Sequence, residues 1–278
     1  MKNAPKTWFI TGASKGLGLA LAQHVLALGD RVAATTRNLG ELQAASERFV
    51  PLQVDLMNES SVATAIARTV EVFGSLDVIV NCAGYGQQGT FEALSNSELR
   101  RNFDVNLFAP LNVLRHALPQ LRAQRSGHVI NISSIVGFDG GYAGWGSYVA
   151  SKFALGGVTE ALAAEVQELG IKATVVYPGP VRTGFLSSAS LAVAERRIDD
   201  YTAAQASLDL HQNTLDGQQA GDPDKIALAI IQAANVSEPP LHLFMGQIAV
   251  DLAQQKIARV QHDLNQWKAS SLATDFPA

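Results

Sequence analysis

The stretch Thr7-Trp8-Phe9-Ile10-Thr11-Gly12-Ala13-Ser14-Lys15-Gly16-Leu17-Gly18 decides how this chain folds. Its first five residues are apolar or β-branched, which suits a strand covered on both faces. Glycines follow at 12, 16 and 18, and then Leu17, Ala20, Leu21, Val25 and Leu28 recur at helical spacing. A strand that turns over glycines into a helix is the first half of a βα unit. Glycine lets the backbone turn tightly and approach an anion at the helix start, where free N–H groups and the macrodipole favour negative charge. The stretch therefore predicts a phosphate cradle after the first strand. The generic dinucleotide fingerprint spaces its glycines as G-x-G-x-x-G, so the loop taken alone leaves a plain structural turn open.

Working outward, the same alternation repeats. Arg31 to Thr35 reads as a second strand, Leu39 to Arg48 as a short helical stretch and Phe49 to Val54 as a third strand. Ser60 to Phe73 is helical and Leu76 to Val80 an almost wholly apolar strand. Glu98 to Gln124 is a long helix that Pro119 is expected to bend. His128 to Ile132 is a strand, Tyr148 to Leu169 a helix and Ile171 to Tyr177 a strand. Residues 181–221 have helical character without a clear strand and read as an excursion covering the substrate. Asp222-Pro223 opens a helix through Ala234, because proline suits the first helical position. Leu241 to Phe244 forms a last strand, Gln247 to Lys268 a closing amphipathic helix, and Ala269 to Ala278 a frayed tail. This βαβ repetition implies right-handed crossovers and an α/β, Rossmann-type doubly wound parallel sheet with helices on both faces. One domain is expected across residues 1–278.

Composition narrows the function. Of 278 residues, 47% are hydrophobic and 17% charged, enough apolar material for a large core. Lysine plus arginine number 21 against 25 for aspartate plus glutamate, a net charge of −4 that speaks against a nucleic-acid partner. No signal peptide or membrane-spanning run is evident, and the lone Cys82 fits a reducing compartment, so the expected location is cytoplasmic. The six histidines show no ligand spacing with cysteine or carboxylate, so no metal site is expected.

The end of the second strand refines the ligand. A site choosing NAD usually offers an acid there to the ribose hydroxyls. Here the position is Thr36, followed by Arg37, which could pair with a 2′-phosphate through a charge-assisted fork. Lys15 could add a second positive charge. The reading is NADP(H).

Six motifs then carry a resemblance to the short-chain dehydrogenase/reductase family. They are Thr11-Gly12-x-x-x-Gly16-x-Gly18, Asn81-Cys82-Ala83-Gly84, Asn106 within Asp104-Val105-Asn106, Asn131-Ile132-Ser133-Ser134, Tyr148-x-x-x-Lys152 and Pro178-Gly179-x-Val181-x-Thr183. They stand in the family's order from Trp8 to about Thr183. Tyr148 and Lys152 are also neighbours on one helical face by spacing alone, and an ammonium beside a tyrosine favours the phenolate. The resemblance implies that Tyr148 exchanges a proton with the substrate oxygen and that Lys152 lowers its pKa and holds the nicotinamide ribose. It implies that Ser134, three residues before Gly137, hydrogen-bonds the same oxygen, and that Asn106 anchors a water leading protons to solvent. Ser14 and Leu17 complete the cofactor loop. Asp55 would contact the adenine amino group with Leu56 beside it, although a strand-end cap is an equal alternative for Asp55. Asn81, Ala83 and Gly84 would line the adenosine, Pro178, Gly179 and Val181 the nicotinamide, and Thr183 its carboxamide.

Trp145 and Phe185 are candidates for the substrate wall, which suggests a hydrophobic ketone, aldehyde or secondary alcohol. The expected activity is hydride transfer by a carbonyl reductase or alcohol dehydrogenase; the alternative is a nucleotide-sensing NADP(H)-binding regulatory protein with little catalysis. The small-residue face Ala154, Gly157, Ala161, Ala164 resembles the family's usual subunit interface and implies a homodimer or homotetramer.

Overall fold

Hydrophobic residues on both sides of the first strand require cover on both sides, and the fold supplies it. The computed structural model describes residues 4–42 and 44–276. Strand β1 (Thr7–Ile10) leads into helix α1 (Gly16–Ala27), followed by β2 (Arg31–Thr36), β3 (Phe49–Gln53), α2 (Glu59–Phe73) and β4 (Val78–Asn81). A short β5 (Gly86–Gln88), α3 (Asn96–Phe103), α4 (Ala109–Gln124) and β6 (Gly127–Ile132) come next, then α5 (Gly146–Val166) and β7 (Ile171–Pro178). The last third holds β8 (Leu191–Val193), α6 (Thr202–Asp209), α7 (Pro223–Asn235), β9 (His242–Met245) and α8 (Gln247–Leu272). Seven strands form one all-parallel sheet in the order β3-β2-β1-β4-β6-β7-β9.

Alternate residues of β1 feed two different cores. Trp8 and Ile10 pack with Leu21, Val25, Ile226 and Ile230 of α1 and α7. Phe9 points the other way, to Val62, Ile66, Val113, Leu121 and Leu162 of α2, α4 and α5. That period of two, buried on both faces, gives the expected three-layer sandwich.

The structure corrects four local readings. Between Leu39 and Arg48 only Leu39–Glu41 is helical, as a single tight turn, and an isolated bridge from Ser46 to Phe49 follows; Gln43 of that stretch lies outside the described residues. The helix expected from Glu98 starts at Asn96, where Ser95 and Glu98 form a reciprocal capping box. It is interrupted at Asp104–Phe108 by one wide π-type turn, a form found often at functional sites. The excursion does contain a strand: β8 pairs in parallel with β5 as a two-stranded sheet of its own. A three-residue strand whose partner is about a hundred residues away leaves no periodic signal. Finally, α8 runs to Leu272, so the first four residues of the expected frayed tail, Ala269 to Leu272, are helical and the helix ends there; Pro277 and Ala278 lie outside the described residues. Beyond Ala253, α8 is largely exposed, with Ile257, Val260, Leu264 and Trp267 uncovered, while Arg259 still reaches Asp139 at 2.6 Å. Among the described residues no helix is long and apolar enough to cross a membrane.

Candidate active site

Strands β1 and β4 lie side by side, but the chain continues outward from them in opposite directions, which opens a crevice at their C-terminal ends. Thr11 ties the crevice floor together. Its hydroxyl oxygen accepts from the backbone N–H of Cys82 at 3.0 Å and of Ala83 at 3.1 Å. Gly12 sits above with φ +67°, where an added Cβ would lie 2.9 Å from Ala83 Cα. A Cβ on Gly18 would lie 2.5 Å from the Gly12 carbonyl oxygen. Both positions therefore need glycine. The N-cap of α1, Lys15, makes no side-chain cap hydrogen bond, so the first turn keeps N–H donors for an outside anion. Thr183 closes the far side, 3.4 Å from where a Gly16 Cβ would stand. A backbone cradle that side chains would fill, ringed by Ser14 and Thr183, fits the phosphates of a dinucleotide.

The other cofactor candidates are placed unequally. Lys15 turns away from Arg37 toward the excursion, donating to Ser190 Oγ at 2.8 Å and the Ala189 carbonyl at 3.3 Å. Arg37 is exposed just past β2, its carbonyl accepting from Gln53 Nε2 at 3.0 Å. Asp55 caps its own turn, with Oδ1 accepting from the Met57 N–H at 3.0 Å, and Asn112 donates to the Leu56 carbonyl at 3.1 Å. The Asn81 side chain points into the sheet, where it donates to Asn131 at 2.8 Å, and Asn131 donates to Thr159 at 2.9 Å. Of the Asn81-Ala83-Gly84 group, Ala83 abuts Gly12 and Gly84 abuts Asn106 and Lys152. Pro178 ends β7, Gly179 donates to the Met245 carbonyl at 2.9 Å, and Val181 bridges to Gly221.

Helix α5 brings Tyr148 and Lys152 to the crevice. Lys152 Nζ is 5.8 Å from the Tyr148 ring centre and donates to the Ile132 carbonyl at 2.9 Å, at the end of β6. Ser133 is structural: buried, it donates to the Lys152 carbonyl at 2.9 Å. Ser134 next to it faces Tyr148, and its Oγ accepts from the Val136 N–H at 3.3 Å. Asn106 lies in the wide turn. Its Oδ1 accepts from the Tyr85 N–H at 3.0 Å, and its Nδ2 donates to the Tyr85 carbonyl at 3.0 Å and to Ser151 Oγ at 3.1 Å. Ser151 in turn donates to the Tyr148 carbonyl at 2.8 Å. Ser134, Tyr148, Lys152 and Asn106 are thus locked in one network of strand ends and helix.

Burial dominates the electrostatics of the pair. Burial pushes the Tyr148 phenol well above its ordinary range, and the Ser134 hydroxyl beside it only partly offsets that. Burial likewise draws the Lys152 ammonium down to about 8. Desolvation disfavours the phenolate, so in this state Tyr148 is held in its protonated form. Burial also pushes the Cys82 thiol up to about 11, which keeps it unreactive.

Trp145 and Phe185 flank Tyr148, with ring centres 6.1 and 5.7 Å away. Leu186, Leu191, Leu208 and Leu215 of the excursion complete this apolar cluster. His211 packs 4.8 Å from Trp145, whose indole N–H donates to Ser207 at 3.0 Å. The sequence reading missed Leu208, His211, Leu215 and Ser190, since nothing local in 181–221 tells which residues turn toward α5.

The family profile described as short chain dehydrogenase matches residues 6–193. The chain belongs to that family. A short-chain dehydrogenase from Streptomyces avermitilis superposes with TM-score 0.91 at 35% identity, covering 98% of this chain and 100% of the other. Human retinol dehydrogenase 8 is 33% identical over 87% of this chain and 81% of its own. A Burkholderia cenocepacia short-chain dehydrogenase solved in complex with NADP gives TM-score 0.70 at 25% identity, covering 96% and 98%. As a family member the protein is an oxidoreductase that moves a hydride between a nicotinamide nucleotide and an alcohol or carbonyl group.

Proposed function

We propose that the protein is an NADP(H)-dependent reductase of hydrophobic ketones or aldehydes, working reversibly on the matching alcohols. The observation that carries this reading is the placement of Tyr148. It is buried and protonated between the Ser134 hydroxyl and an apolar wall of Trp145, Phe185 and Leu191. A phenol in that state is a general acid, and the wall selects apolar substrate. The cradle of Gly12, Ser14, Gly16, Leu17 and Gly18 would hold the pyrophosphate, with Thr183 opposite. The crevice side of Ala83 and Gly84 would line the adenosine, and Arg37 stands where a 2′-phosphate would be read. Bound nicotinamide supplies the hydride.

The chain's residues handle the oxygen. Ser134 and Tyr148 hydrogen-bond the carbonyl and stabilise the negative charge that develops on it. Tyr148 then gives up its proton, so that C=O becomes CH–OH. The Lys152 ammonium favours the transient phenolate, and Asn106 fixes α5 through Ser151 while opening a route for reprotonation. Retinol dehydrogenase 8, named for an apolar alcohol, and the NADP complex of the Burkholderia enzyme support the substrate class and the cofactor. One cysteine, inert and unpaired, supports a cytoplasmic setting. The exposed stripe on α8 beside the small face of α5 supports a homodimer.

The test is absorbance of the reduced nicotinamide, with NADPH and NADH supplied separately against alkyl, aryl and polycyclic ketones and aldehydes. Oxidation of NADPH with apolar carbonyls is the expected result. Tight NADPH binding without turnover of any carbonyl would overturn the enzyme reading.

A further inference from the structure

The end of β2 holds an acid that the residue at its tip conceals. Thr36 occupies the position where a carboxylate would favour NAD; it is buried, and its hydroxyl accepts from the Asn38 N–H at 3.2 Å. Immediately after it the chain doubles back. Asn38 caps the single turn Leu39–Glu41, its Oδ1 accepting from the Gly40 N–H at 3.1 Å, while the Glu41 N–H donates to the Asn38 carbonyl at 3.1 Å. The reversal returns Glu41 to the strand end, where Thr36 Oγ1 donates to Glu41 Oε2 at 3.1 Å. The Ser14 hydroxyl of the glycine loop also supports this carboxylate, followed by Thr36, and the positive charges of Lys15 and Arg37 act in the same direction. Together these hold the Glu41 carboxyl below its usual range.

We propose that Glu41 is a cofactor-discriminating residue: its carboxylate stands on Thr36 at the end of β2, where a 2′-phosphate would be read, and so tempers the preference for NADP(H). The proposal rests on the NADP(H) reading and deepens it. For a nucleotide with a 2′-phosphate, Glu41 is a like charge at the strand end, holding the Thr36 hydroxyl that the phosphate would approach. It must swing out, which its exposed position permits. For a nucleotide with a free 2′-hydroxyl, the same carboxylate is a ready acceptor. The acid that Thr36 lacks thus returns from five residues downstream, and NAD(H) stays usable. Arg37 pulls toward one cofactor and Glu41 toward the other.

The experiment is direct binding, read by nicotinamide fluorescence and by calorimetry, so that turnover plays no part. Dissociation constants for NADPH and NADH are measured for the wild type, Glu41→Gln and Glu41→Lys. Glu41→Gln should raise the NADPH-over-NADH affinity ratio about threefold, the size appropriate to one solvent-exposed charge. Glu41→Lys should raise it further, and the gain should shrink in high salt. A ratio unchanged in both variants, or one that moves toward NADH, overturns the proposal. If the wild type binds neither nucleotide, the cofactor reading has failed, and that result is separate from any change among the variants. Arg37→Asp provides the opposite arm: it should move the ratio toward NADH, and more so when Glu41 is retained.

Discussion

The phosphate cradle at residues 11–18 and the excursion at 181–221 face each other across the crevice, yet they are built by different means. The cradle is made of backbone. Its shape depends on a positive φ at Gly12 and on a hydrogen atom in place of a Cβ at Gly18, and Thr11 pins it to β4. The excursion is held by scattered long-range contacts: the three-residue pairing of β8 with β5, the Gln88 amide donating to the Ala204 carbonyl at 3.0 Å, and Lys15 reaching Ser190. A cradle that only glycine can form serves any member of the family, because every nicotinamide nucleotide presents the same pyrophosphate. A cover assembled from interchangeable apolar side chains can be reshaped for each substrate.

The largest effect expected from this division lies where the two regions meet. Tyr148→Phe removes the acid and leaves the ring that packs against Trp145 and Phe185. Turnover should fall about 10³-fold, within the range for losing a general acid, while the dissociation constant for NADPH changes less than about twofold. Stopped-flow and fluorescence titration measure the two separately. A variant that kept most of its rate would show that the proton comes from elsewhere. Equal losses in rate and cofactor affinity would mean that cradle and cover are not separable.

The same division explains what was legible in the sequence. The alternation of strands and helices, the glycine loop and the Tyr148–Lys152 spacing could be read because local geometry forces residue type: glycine where φ is positive, and a spacing of four for neighbours on a helix; Ser134 was singled out only by the family resemblance. The wide turn at Asp104–Phe108 was hidden because one extra residue within a helical run leaves the composition unchanged. β8 was hidden because its partner is β5, and Glu41 because its relevance depends on a chain reversal that brings it back to Thr36. The Asn81 side chain turned out to serve the sheet, where the parallel register sets it beside Asn131. Pattern gives the identity of a residue's neighbours along the chain, whereas the substrate side depends on neighbours across it.

A smaller effect separates the cover from the cradle. Phe185 is half-buried against Tyr148 and lines Gly86 and Leu191 in the apolar cluster. Phe185→Ala should raise KM for an apolar ketone about tenfold, on the order of the free energy of the aromatic surface it exposes. NADPH affinity should stay as in the wild type. Steady-state kinetics on a series of ketones of increasing size should show the loss growing with substrate size. A uniform loss across the series, or weakened NADPH binding, would place Phe185 on the cofactor side and blur the comparison.

A separate effect, on stability rather than on turnover, concerns the sheet that carries the cradle. His128 is the second residue of β6, at the end away from the crevice, buried, with Nε2 donating to Thr174 Oγ1 at 2.8 Å, and Thr174 donates on to the Pro240 carbonyl at 2.7 Å. Burial, helped by the charges of Lys6 and Lys172, lowers its pKa from 6.5 to about 4. The folded protein therefore holds His128 neutral where the unfolded chain takes up a proton. Between those two values the unfolded state binds more protons, so stability falls as pH drops from about 6.5 toward 4. The contribution is on the order of 2 kcal/mol between pH 7 and pH 4.5. Urea unfolding at the two pH values measures it, and His128→Gln, which keeps an N–H for Thr174, should lose that part of the slope. If the variant keeps the full slope, the acid sensitivity lies in other groups. If the slope disappears in His128→Gln, the buried imidazole of the sheet sets the acid sensitivity of the fold.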